Sequence, residues 1–152
     1  MSHPRYVRSL HHVATTRAAT VLAACVLAFA ALGAGAAQES LSLEFEKAGV
    51  GDTVWVGTVS GDVSGVLTTV LISADTSASV WLVEFYWIIT ADDPKRSFVA
   101  RLTGTLDSET GVVAMSGRVV EGYREGAMVE EQGQMIDPER SAFTGTIVVQ
   151  GS

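Results

Sequence analysis

Residues Ser79–Thr90, SVWLVEFYWIIT, decide how this chain folds. A strand with one face on a core and the other in water alternates apolar and polar residues. Here Trp81, Val83, Phe85, Trp87 and Ile89 share one parity, and Val80, Leu82, Glu84, Tyr86 and Ile88 share the other. Both faces are nearly free of polar groups, so each needs a cover. Our reading sends Trp81, Val83, Phe85 and Trp87 inward, to fill a barrel or line its cavity, and hides the opposite face against another copy of the chain. The reverse arrangement, with Glu84 and Tyr86 facing a cavity, stays open.

Similar runs flank this one. Beyond residue 40 no helical periodicity of useful length occurs, while alternating runs recur at 41–46, 53–60, 63–73, 79–90, 97–106, 111–121, 126–136 and 142–150. The separators GVGD, SGD, ADTSA, ADDPKR, DSETG, GYREG and DPERS are turn chemistry. Connections this short join antiparallel neighbours, because a parallel crossover needs a dozen or more residues. Eight sequential strands have two edges, and closing the sheet removes both. The expected fold class is therefore all-β, an eight-stranded antiparallel barrel, with a two-sheet β-sandwich as the alternative. Gly57, Gly65, Gly104, Gly117, Gly133 and Gly145 fall inside the strands, where glycine marks bulges and sharp bends.

The N-terminal segment reads differently. Arg5, Arg8 and Arg17 precede AATVLAACVLAFAALGAGAA, an apolar run ending in small residues before Ala37. Residues 1–36 are expected to be a signal peptide and residues 37–152 a single β-barrel domain, secreted or periplasmic. Leu22-Ala23-Ala24-Cys25 also resembles a lipobox, making a lipoprotein anchored through Cys25 the second reading. An uncleaved anchor is the third, since about 20 residues just span a bilayer.

Removing the leader narrows the chemistry. His3, His11, His12 and the only cysteine, Cys25, all lie in it. Residues 37–152 thus have no thiol for a nucleophile or zinc site and no imidazole for a Ser-His-Asp triad. No metal site and no cofactor is expected, and any catalysis falls to Asp, Glu, Tyr, Lys or Arg. Seven basic residues against seventeen acidic ones give this part a net charge of −10. With no basic cluster, it repels phosphate backbones, so nucleic acid is not an expected partner. No membrane span is expected in it either.

In the C-terminal half, GTLDSETGVVAMSGRVVEGYREGAMVEEQGQ followed by FTGTI has a glycine cadence, with the pair Gly126-Ala127 opening a strand. Over roughly Leu102 to Val149 the chain resembles the allene oxide cyclase-like and dirigent-like eight-stranded barrels. That resemblance implies a barrel with an apolar cavity, often assembled as an oligomer. It carries over no catalytic residue.

Two sets of side chains are candidates for chemistry. Glu130 and Glu131 are adjacent in a strand and must point to opposite faces; parity with Ala127, Val129 and Met135 turns Glu131 inward. A carboxylate inside an apolar barrel has a raised pKa and serves as acid, base or ligand holder. A bulge near Gly133 would instead leave both glutamates exposed. Glu84 and Tyr86 form the second set, within reach of Arg101 if the hairpin register allows; the plainer reading is an ion pair and a phenol in a subunit contact. Asp92, Asp93 and Asp107 are assigned to turns rather than to calcium. Trp81, Phe85, Trp87 and Trp55 are the candidate ligand-binding residues.

Two function classes follow. The first is an exported barrel that binds a small apolar ligand or forms a homo-oligomeric surface module without catalysis. The second is a cofactor-free isomerase or cyclase of the allene oxide cyclase-like type, with an apolar pocket and Glu131, or Glu84 with Tyr86, moving protons.

Overall fold

A computed structural model describes residues 39–151; the expected signal peptide, residues 1–36 with Cys25, lies outside the described residues. Eight strands follow one another: β1 (Leu41–Gly49), β2 (Val54–Gly61), β3 (Gly65–Asp75), β4 (Val80–Ala91), β5 (Phe98–Asp107), β6 (Val112–Gly122), β7 (Met128–Asp137) and β8 (Ala142–Val149). Every neighbour is antiparallel, and β8 returns to pair with β1 from Leu41↔Val149 to Lys47↔Phe143, closing the barrel. Closure satisfies the edge groups of both terminal strands within the sheet. A single 3-10 turn, Pro94–Arg96, interrupts the strands. Among the described residues, no helix is long and apolar enough to cross a membrane.

The turn aspartates explain why the chain reverses where it does. Asp107 Oδ1 accepts from the backbone N–H groups of Glu109 and Thr110 at 2.9 and 3.1 Å. Asp137 repeats the arrangement with Glu139 and Arg140, and Asp75 and Asp93 each hold the N–H two residues on. Such Asx contacts satisfy backbone donors that the ladder has released.

Alternation then builds the core. Leu43, Leu67, Leu102, Val129 and Ile147 point inward and are essentially free of solvent contact. In β4, Val83, Trp87 and Ile89 are buried while Val80, Leu82 and Tyr86 on the other parity are exposed, Leu82 at 60%. Register shifts leave one residue unpaired at Ile72 of β3, at Val120 of β6 opposite Val99 and Ala100 of β5, and at Ile136 of β7. Close strand approach needs glycine: a Cβ at Gly57 would run into the Glu46 carbonyl oxygen of β1 and stand 2.6 Å from Lys47 Cα. Register sets Gly57 directly opposite Lys47 of β1.

Candidate functional site in the barrel interior

β1 runs to Gly49, three residues past the alternating stretch that ends at Glu46, and this extension decides the site. Leu41, Leu43 and Phe45 face inward, and the same parity turns Lys47 inward. Lys47 retains 5% of its exposure and Glu131, from β7, 1%. Their Nζ and Oε1 atoms are 3.8 Å apart, an ion pair longer than a hydrogen bond. The other carboxylate oxygen, Oε2, is buried with no hydrogen-bond partner.

Aromatic rings enclose the ammonium. Nζ stands 4.0 Å from the Trp87 ring centroid, 5.3 Å from Phe45, 5.6 Å from Phe85 and 5.7 Å from Phe143. Phe45 meets Trp87 edge to face at 5.0 Å, and Trp55 meets Phe85 likewise at 5.4 Å. A desolvated cation over such faces gains roughly 2 kcal/mol, which offsets part of the cost of removing it from water. Burial nevertheless pushes Lys47 down to about 8, with the Glu131 charge acting against it. Burial also pushes Glu131 up to about 7, opposed by Lys47. Desolvation dominates both because 3.8 Å is too long for the partner to replace the lost hydration.

Beside Lys47 lies a cavity of about 80 Å³, lined by Lys47, Trp55, Leu71, Trp81, Phe85 and Leu106 together with five further side chains. Glu131 is not among them; it sits behind Lys47. Trp55, Trp81 and Leu106 lie one residue inside their strand ends, so the cavity opens at the end of the barrel carrying the β1–β2, β3–β4 and β5–β6 turns. Its lining is hydrocarbon apart from the Met115 sulfur and three donors: the Lys47 ammonium and the indoles of Trp55 and Trp81. Trp55 Nε1 is buried and unpartnered, as are Thr69 Oγ1 and Trp87 Nε1, and register places Trp55, Thr69 and Trp87 side by side across β2, β3 and β4.

The structure divides the sequence candidates between the two sides of the wall. Glu131 lies inside. Trp55, Trp81 and Phe85 line the cavity, and Trp87 lies under the Lys47 ammonium. Glu84 and Tyr86 lie outside, apart from the cavity: Arg101 Nε donates to Glu84 Oε1 at 2.5 Å, and Ser73 Oγ donates to Oε2 at 3.4 Å. The register that permits this is Tyr86↔Arg101 and Glu84↔Thr103. Lys47 is the residue that the sequence reading missed. Its signal was the parity of Leu41, Leu43 and Phe45, carried one step further.

No family model, curated protein or solved structure matches this chain.

Proposed function

We propose that this barrel is an exported binding protein for small, largely apolar molecules that carry a hydrogen-bond acceptor. The observation that carries the reading is the lining of the cavity, which presents hydrocarbon and donors but no strong acceptor. A cavity of about 150 Å³ takes up benzene. One of about 80 Å³ holds a polar head and its first few carbons, the rest lying in the mouth beside Trp81 and Leu106. The arginine-led apolar run before residue 37 supports export. The test is titration of tryptophan fluorescence with butanoate, 1-butanol and n-butylammonium. Butanoate and 1-butanol produce a saturable change and n-butylammonium, a donor, does not. Equal responses to all three, or none to any, would refute the proposal.

A second reading, cofactor-free isomerisation or cyclisation of the allene oxide cyclase-like kind, is favoured by one observation. Lys47 and Glu131 sit side by side with proton affinities drawn toward neutrality. Turnover lost in Glu131→Gln while the ligand still binds would support it.

We also propose that copies of the chain meet through the outer faces of β3 and β4. Val66, Ile72, Val80, Leu82 and Tyr86 are exposed there. Between Val66 and Ser73 of β3 and between Leu82 and Thr90 of β4, the sole outward charge is Glu84, which Arg101 neutralises. On a chain of net negative charge, a neutral apolar strip is where two copies approach without repulsion. Light scattering should give more than one chain per particle, and a single chain in Leu82→Glu. A monomeric parent excludes the contact.

A further inference from the structure

We propose that Lys47 captures small apolar aldehydes covalently, as an imine, in the cavity at the mouth of the barrel. The inference rests on the cavity binding such molecules and goes further in assigning them a bond. An aldehyde is an acceptor on an apolar body, and the innermost donor that it meets is the Lys47 amine. That nitrogen has its ionic partner at 3.8 Å, beyond hydrogen-bond reach, so it is not committed to another group.

The step balances without a further reactant. Nζ, as the free amine, donates its lone pair to the carbonyl carbon; a C–N bond forms and the carbonyl π pair moves to oxygen. Glu131, behind the nitrogen, takes one of its protons, and the oxygen, on the side of the mouth, takes one from solvent. The hydroxyl then leaves as water with a second solvent proton, the nitrogen gives up its second proton as C=N forms, and both protons return to solvent. One amine and one aldehyde give one imine and one water, with no oxidant or reductant.

Three features of the site favour it. Burial holds Lys47 near 8, so the free amine is far more populated at neutral pH than in a solvated lysine. Glu131 near 7 supplies and accepts protons in the same range. The rings of Trp87, Phe45, Phe85 and Phe143, which favour the ammonium, equally favour the cationic iminium.

The chain contains two lysines, Lys47 and Lys95, so the test is clean. The full chain is incubated with butanal and cyanoborohydride near neutral pH, and reduced adducts are located by peptide mapping. The buried Lys47 is expected to carry the butyl group about tenfold faster than the exposed Lys95, and Glu131→Gln to slow that labelling about tenfold. 1-Butanol, which fills the cavity without reacting, should protect Lys47 and leave Lys95 unaffected. Labelling of Lys95 alone, with 1-butanol still perturbing the tryptophans, overturns the covalent step and spares the binding reading. Labelling of Lys95 alone with no response to 1-butanol overturns both.

Discussion

Lys47 of β1 and Glu131 of β7 face each other inside the barrel at 3.8 Å, although β8 separates their strands. Strand β8 carries Gly145 there, and a Cβ on it would stand 2.8 Å from Phe45 Cε1. Gly133 of β7 would meet the same ring at 3.1 Å and Glu131 Oε1 at 3.6 Å. Missing side chains on two strands thus make room for Phe45 and, next to it, the charged pair.

Removing one partner leaves the other buried without its counter-charge and pushes it further toward the neutral form. Lys47→Met and Glu131→Met should each lose about 3 kcal/mol in urea denaturation at neutral pH, while the double variant should lie within about 1 kcal/mol of the parent or above it. Additive losses in the double variant would show that the pair is not coupled.

The same pair shapes stability against pH. Glu131 titrates near 7 in the fold against an ordinary 4.5, so between those values the native chain holds the extra proton and stability falls as pH rises. Lys47 titrates near 8 against 10.5, so from 8 upward the unfolded chain holds the extra proton and stability recovers. The urea midpoint should therefore pass through a trough between pH 7 and 8 that flattens in the double variant. Asp75 and Asp107 act lower: turn hydrogen bonds hold them below 3.8, so their contribution disappears only as pH falls through that region.

Gly57→Ala tests how closely β1 and β2 approach. Its methyl group would meet the Glu46 carbonyl, and a loss of about 3 kcal/mol is expected from forced separation of the strands. Gly51→Ala, with nothing within 4 Å, should change stability by less than about 0.5 kcal/mol.

Inside and outside should separate cleanly in binding assays. Glu84→Gln disrupts an exposed ion pair, costs less than about 1 kcal/mol and leaves butanoate affinity unchanged. Val113→Phe puts a ring into the cavity and should weaken that affinity about tenfold. Equal affinities in the two variants would move the binding site elsewhere.

Much of the architecture was legible because its causes are local. Side chains alternate with a period of two, and aspartate turns use contacts two or three residues long, so the eight strands follow the alternating runs to within three residues at each end. Parity likewise nominated Glu131 as the inward glutamate, while the reach of Arg101 to Glu84 depended on a hairpin register that the sequence left open. The end of β1 was less legible: Lys47 interrupts an apolar series, and a charge ordinarily marks the end of a buried face.

The sequence by itself determined an all-β chain and residues 37–152 without thiol or imidazole, and it nominated Glu131 as an inward carboxylate while leaving its exposure open. Tertiary structure alone decided that this carboxylate meets a lysine, that four aromatic rings surround that lysine, and that Glu84 and Tyr86 lie outside. The reason is closure. Register around eight strands, shifted within β3, β6 and β7, determines which inward residues from distant strands share one level of the interior, and no local pattern encodes that sum.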